Sequence, residues 1–217
     1  MEKREELKKQ LRVLITNLGK TLDDFQALID EWNNHSIRLQ DVLKLNLFQF
    51  ALYLSASDGM ISYTEMEVVS LVWGSPYSPE AARNYLKSNN IYSTEFEQKV
   101  PEIFQASVQL DNQMEERGIK MNETLTDCIL ETYKVTANLI LMDGGETTEE
   151  EKEDFFIYYS MLESYLNANL RRRKIGIPTG IKKNTKKVMS GTVAPSKNGG
   201  VVAPKKDEKV SAPKKGK

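Results

Sequence analysis

The chain has 217 residues, with one cysteine, one histidine and a formal net charge of −1 at pH 7. A single cysteine and a single histidine exclude a disulfide framework within the chain, a zinc site built from these two residue types, and a Ser-His-Asp triad. The charge is uneven, because residues 1–170 contain 15 basic and 29 acidic residues whereas residues 171–217 contain 15 basic and 2 acidic residues. The composition therefore predicts an acidic body followed by a basic tail.

The N-terminal segment, residues 1–34, is predicted to be a helical extension. Four leucines recur at coiled-coil spacing in its first half: Leu7, Leu11, Leu14 and Leu18. Gly19 interrupts this pattern, and apolar spacing resumes from Leu22 to Trp32, so the segment is either a long kinked helix or a helical hairpin. Two roles are open: packing on the rest of the chain, or serving as the dimerisation arm of a homodimer.

Two copies of one short motif, 85 positions apart, lie in the body of the chain. The first copy runs from Asp58 to Glu65 and the second from Asp143 to Glu150, and both have the pattern Asp-Gly-x-x-Ser/Thr-x-x-Glu. Each copy follows a long apolar stretch and precedes a second helical stretch. The repeat therefore predicts an internally duplicated all-α body in which a helix, an acidic turn and a helix occur twice.

Both helix capping and cation binding are compatible with the motif. Ser62 with Glu65, and Thr147 with Glu150, fit the capping box that satisfies free N–H groups at a helix start. Capping explains the leading Asp of each copy less well, because this residue ends a core-facing apolar stripe near a helix C-terminus, where the helix dipole disfavours an anion. A cation would offset this charge, and so would the N–H groups of the following helix.

A self-contained calcium loop is not expected in either copy. The first copy matches only the second half of an EF-hand loop, since its first and third ligand positions would be Leu54 and Ala56, which offer no side-chain oxygen. A bound metal would therefore need ligands from both copies. All-oxygen ligation favours Ca²⁺, Mg²⁺ or Mn²⁺ over Zn²⁺.

The signature resembles that of the TerB-like tellurite-resistance family. Residues 52–59, Leu-Tyr-Leu-Ser-Ala-Ser-Asp-Gly, and residues 90–96, Asn-Ile-Tyr-Ser-Thr-Glu-Phe, are typical of its Gram-positive members. The resemblance covers roughly residues 40–170. It implies a duplicated helical bundle with an acidic cluster proposed to bind a divalent metal, acting in stress response rather than in catalysis.

Carried over residue by residue, the resemblance implies the metal ligands Asp58, Glu65, Asp143 and Glu150. The second copy departs from the family pattern, because Glu146 stands where the first copy has the apolar Ile61. Glu146 is therefore either an additional ligand or an exposed side chain.

Helix start and stop signals divide the predicted TerB-like domain, residues 35–173. The predicted helices end at Ser57, span 62–73, run from Pro79 to about Lys87, run from Ser93 to about Gly118, and span 122–142 and 148–173. Pro101 falls either in the first turns of the fourth of these helices or after a break. Pro79, which follows Ser78, is expected at the first position of its helix.

The C-terminal segment, residues 174–217, is predicted to be disordered. Ala-Pro recurs at positions 194, 203 and 212 with lysine close behind, and aromatic residues are absent from residue 176 onward. Without aromatic side chains, base stacking is excluded and only phosphate-type attraction is left. The candidate polyanion-binding residues are Lys182, Lys183, Lys186, Lys187, Lys205, Lys206, Lys214 and Lys215. The alternatives are a solvated tail without a dedicated ligand, and binding to the acidic body of the same chain.

Together these patterns predict a cytoplasmic, non-enzymatic adaptor whose acidic site binds a divalent cation that locks the two repeats. No set of acid, base, nucleophile and oxyanion groups is assembled by the sequence. No signal peptide or membrane span is expected. Protein partners are expected, and the tail would add weak contact with nucleic acid or an anionic membrane. The rival hypothesis is a metal-free helical interaction module whose acidic turns are helix caps.

Overall fold

The computed structural model describes residues 2–28, 38–91, 94–119, 123–142 and 149–171. Regular structure within these ranges is entirely helical, which confirms the predicted all-α class. The helices are α1 (Glu2–Leu28), α2 (Leu39–Leu54), α3 (Tyr63–Trp73), α4 (Pro79–Asn89), α5 (Thr94–Gln98), α6 (Glu102–Glu116), α7 (Leu125–Leu141) and α8 (Glu149–Asn169). The internal duplication stays a prediction, because the second acidic turn falls within residues 143–148, outside the described ranges.

Two helices, α2 and α7, lie at the centre of the bundle. Helix α2 packs against α1, α3, α4, α6, α7 and α8, and α7 packs against α1, α2, α3, α6 and α8. The second half of α2 is buried on all sides, from Leu47 and Phe48 to Leu54 apart from the half-buried Gln49. A helix that is apolar around its whole circumference is stable only when other elements surround it, so the sequence of α2 places it in the core.

Helix α1 packs along this core rather than projecting from it. Its leucines Leu11, Leu18 and Leu22 are buried, and α1 packs against α7, α2 and α3. The helix continues through Gly19, so of the two predicted alternatives the long helix is the one that occurs, and not a hairpin at this glycine. A Cβ atom at position 19 would lie 2.5 Å from Nε2 of Gln40, so the Gln40 side chain packs directly against this glycine. A dimerisation role and the boundary at residue 34 stay predictions.

The predicted capping signals appear at the helix ends. Ser78 accepts a hydrogen bond from the Ala81 N–H at the start of α4, with Pro79 at the first helical position. Gly74 ends α3 with a left-handed φ of 87°, a conformation that glycine adopts without the steric cost of a Cβ. Pro101 lies after α5 and immediately before α6. The helix is therefore broken before Pro101, and this proline does not lie within the first turns of one continuous helix.

None of the helices in the described ranges is both long enough and apolar enough to cross a membrane. The predicted basic tail, including all eight candidate polyanion-binding lysines, lies outside those ranges, as do residues 29–37 between α1 and α2.

Candidate functional site

The first acidic turn is closed by a hydrogen bond from a backbone N–H group to the side chain of Asp58. After α2 ends, Gly59 adopts a left-handed φ of 77°. The Met60 N–H donates to Oδ1 of Asp58 at 2.8 Å, which closes a small turn. This bond gives the aspartate a local partner among the backbone N–H groups, the arrangement expected of a capping role.

Glu65 completes the capping box predicted from the sequence. Its N–H donates to Oγ of Ser62 at 3.0 Å, and its Oε2 accepts from the Ser62 N–H at 2.6 Å. Glu65 is only 3% exposed and lies beside the buried Met66, whereas Tyr63 at the start of α3 faces solvent. A carboxylate buried in this way satisfies N–H groups at the helix start, where the helix dipole also favours a negative charge.

A cation that no sequence pattern indicated lies next to this turn: the guanidinium of Arg4 in α1. Arg4 donates from Nη2 to the Thr64 carbonyl at 2.9 Å and from Nη1 to the carbonyls of Leu139 and Met142, both at 3.3 Å. Thr64 belongs to the first motif, and Met142 directly precedes the second. One arginine therefore joins the start of α3 to the C-terminal end of α7, where the helix dipole favours a positive charge.

The second acidic motif is described only in part. Asp143 and Glu146 lie outside the described ranges, and Glu150 is exposed in the first turn of α8. The predicted approach of Asp58 to Asp143 therefore stays a prediction. Within the described ranges, no group of three or more His, Cys, Asp or Glu side chains is placed to bind a metal ion.

A second buried carboxylate, Asp111 in α6, accepts hydrogen bonds from free N–H groups at the start of α7. Its two oxygens accept hydrogen bonds from the N–H groups of Leu125 and Thr126 at 2.9 and 2.8 Å, and from the Thr126 hydroxyl. Burial raises the pKa of Asp111 above its usual value, while these three hydrogen bonds oppose the rise. Thr124 adds a local cap by accepting from the Asp127 N–H at 3.0 Å. Asp111 thus fastens α6 to α7.

A cluster of aromatic rings fills the space between α2, α7 and α8. Phe50 lies 4.9 Å from both Tyr133 and Tyr158, measured between ring centroids, and the two tyrosine rings are stacked at 6.2 Å. Burial raises the pKa values of both tyrosines. The cluster contributes apolar contact area to the core, and the phenols stay protonated at neutral pH.

The single cysteine also belongs to the packed interior. Cys128 is half-buried against the core in α7. Burial, with Glu123 nearby, raises the pKa of its thiol to about 12. Since the thiolate is the reactive form, this environment makes Cys128 a poor nucleophile at neutral pH.

A cleft of about 280 Å³ lies between α2, α5 and the end of α4. Two of its amide side chains connect neighbouring helices. Oδ1 of Asn46 accepts from the Ile103 N–H at 3.0 Å, and Nε2 of Gln49 donates to the Tyr85 hydroxyl at 3.3 Å. The first bond gives a free N–H group at the start of α6 a partner, and the second joins α2 to α4. The polar wall of the cleft therefore has a structural role.

Comparison of the chain with protein-family models, with curated proteins and with solved structures found no match. The resemblance to TerB-like proteins therefore rests on the motif residues themselves.

Proposed function

We propose that the chain is a non-enzymatic helical interaction module in which the first acidic turn caps a helix and Arg4 provides the cation beside it. The carrying observation is that the Arg4 guanidinium donates to three backbone carbonyls at the ends of two helices, Thr64, Leu139 and Met142. A charge-assisted hydrogen bond of ordinary length is worth roughly 1.5–3 kcal/mol, and the two bonds at 3.3 Å contribute less because they exceed the usual N–H···O distance. These three bonds join the start of α3 to the end of α7, and the divalent-cation hypothesis gives a comparable joining role to a metal ion.

The geometry of the first motif supports this assignment over a cation site. A bound Ca²⁺ requires oxygen ligands at roughly 2.3–2.6 Å. Recruiting Glu65 would disturb a buried carboxylate that already accepts from the Ser62 N–H. The competing proposal is a divalent-cation adaptor in which Asp143, Glu146 and Glu150 contribute ligands, and it requires the Asp58 and Glu65 carboxylates to bind the ion alongside these backbone hydrogen bonds.

We further propose that the module acts in the cytoplasm in a stress response, the setting implied by the TerB-like resemblance, and that its tail recruits it to polyanions. The tail, residues 174–217, contains 12 basic and 2 acidic residues. Attraction of lysines to phosphate groups releases condensed counterions and needs no base contact. Nucleic acid and anionic membranes both present such groups.

Thermal unfolding of the full chain in the presence of EDTA, Ca²⁺, Mg²⁺ or Mn²⁺ tests the metal-free proposal. Ligands that bind only the folded state raise its stability by about 2.7 kcal/mol at a hundredfold excess over Kd. We expect no change in Tm with any of these ions, and no heat of binding by calorimetry. A rise of several degrees that Asp58→Asn abolishes would instead establish the divalent-cation adaptor.

A further inference from the structure

Helix α8 presents two large apolar side chains to solvent. Phe156 is 70% exposed and Ile157 is 42% exposed. Residues three and four apart are neighbours on a helix surface, so both side chains lie beside Glu153. Other residues of α8 make its contacts with the core, including the buried Tyr158, Leu162 and Leu166. The exposed pair therefore lies on the face of α8 that points away from the bundle.

The surroundings of this pair are strongly acidic. Glu149, Glu150 and Glu153 are all exposed and occupy the two turns before Phe156. Lys152 pairs with Glu149 at 2.7 Å. Within the described ranges, Glu150 and Glu153 form no ion pair with a basic side chain. We call the five residues Glu149, Glu150, Glu153, Phe156 and Ile157 the α8 face.

Helix α5 packs against α8 and adds to the negative charge of this region. Residues 94–99 and 149–157 together contain seven carboxylates and two lysines. An exposed aromatic side chain in a region where carboxylates outnumber lysines has the composition of an interface centre with a charged rim. Isolated apolar side chains on a surface need no partner, but here two consecutive ones lie beside carboxylates that form no ion pair within the described ranges.

We infer that the α8 face docks a basic segment of a partner protein, with an apolar side chain of that segment packed on Phe156 and its lysines or arginines facing Glu150 and Glu153. This inference deepens the proposed interaction module and rests on it. A second copy of the chain is a poor occupant, because two α8 faces in contact would oppose like charges, which costs several kcal/mol at an interface.

Fluorescence anisotropy with a labelled amphipathic peptide of lysine, leucine and alanine tests the docking surface on the full chain. Phe156→Ser should weaken peptide binding about tenfold, which corresponds to about 1.4 kcal/mol and is expected when a central interface residue is truncated. Tyr63→Ser is the matched control because Tyr63 is an exposed aromatic residue in α3, and it should change Kd less than about twofold. Wild-type affinity should fall as salt increases.

A pair of charge reversals separates docking from general attraction to an acidic protein. Glu153→Lys and Glu115→Lys change the net charge equally, and Glu115 is exposed in α6. Glu153→Lys should weaken binding several times more than Glu115→Lys. Equal effects of the two reversals, or an unchanged Kd for Phe156→Ser, would overturn the inference. So would a dimer seen by sedimentation equilibrium that Phe156→Ser dissociates. The metal titrations test the proposed function without the peptide, so the two failures are distinguishable.

Discussion

Two buried carboxylates have the same role at two helix starts. Glu65 accepts from the backbone at the start of α3, and Asp111 accepts from the backbone at the start of α7. Both replace water around N–H groups that a helix leaves unpaired. Glu65 lies three residues from its cap partner, whereas Asp111 reaches its partners from another helix.

Substitutions of Glu65 distinguish a structural role as a helix cap from a role as a metal ligand. Glu65→Gln should leave the free energy of unfolding within about 0.5 kcal/mol of wild type, because glutamine also completes a capping box. Glu65→Ala should cost about 1 kcal/mol, as expected when a cap is lost. Urea unfolding measures both values, with Glu115→Ala as an exposed control. A Glu65→Gln variant as unstable as Glu65→Ala would show that the negative charge itself is required.

Asp111 should make stability depend on pH. The pKa of Asp111 is raised in the folded state, so the folded chain binds a proton at this carboxyl more tightly than the unfolded chain does. The contribution of Asp111 to stability therefore increases as the pH falls through the folded-state pKa towards the unfolded-state pKa. Asp111→Asn removes the titration. The stability of wild type relative to Asp111→Asn should therefore grow between pH 7 and pH 4 in urea unfolding experiments. A constant difference in stability between the two chains over that pH range would contradict a raised pKa at Asp111.

The contrast between Glu65 and Asp111 shows what the sequence could predict. A capping box is visible because its two members are three residues apart, and the start of α4 is visible because Ser78 and Pro79 are adjacent. Asp111 binds N–H groups 14 and 15 residues away, and Arg4 binds carbonyls up to 138 residues away. Neither contact has a local pattern, since each depends on how helices are placed by core packing.

At the scale of the helices, local signals predicted most boundaries. The predicted spans 62–73 and 122–142 differ from the observed α3 and α7 by a few residues at most, because caps and prolines fix the ends. Gly19 left two alternatives open, a long helix or a helical hairpin, since a glycine in a helical pattern can mark either a break or a close contact. The close approach of Gln40 decides in favour of contact.

The contact at Gly19 predicts a coupled pair of substitutions. Alanine is favoured over glycine in a helix by about 1 kcal/mol, but the new Cβ would collide with the Gln40 side chain. Gly19→Ala alone should therefore gain little. The double variant Gly19→Ala with Gln40→Ala should gain most of the 1 kcal/mol relative to Gln40→Ala. Urea unfolding of all four chains completes the cycle, and additive effects would refute the contact.

At the scale of the whole molecule, charge separates the chain into two parts. The acidic body contains the packed helices, whereas the basic residues concentrate after residue 170. Apolar periodicity made the helical body predictable. The partner of the tail was not, because attraction between lysine and phosphate depends on charge and leaves no further sequence signature.

Removing residues 176–217 should change function without changing the fold. We expect the Tm of the truncated chain to stay within about 1 °C of full length, since the segment has too little apolar surface to offset its ordering entropy. Binding of full-length protein to DNA or anionic vesicles at low ionic strength should be weak, salt-sensitive and lost on truncation. Retention of that affinity by the truncated chain would remove the tail from the proposed function.

The central claim is that Arg4, rather than a divalent cation, joins the ends of α3 and α7, and equilibrium urea unfolding of Arg4→Ala in excess EDTA tests it most directly. Lys3→Ala is the control, as an exposed neighbour in the same turn of α1. We predict that Arg4→Ala loses about 2–3 kcal/mol, since three carbonyls lose a charged donor, and that added Ca²⁺ restores none of it. An Arg4→Ala chain as stable as Lys3→Ala, or one that regains its stability with Ca²⁺, would contradict the account.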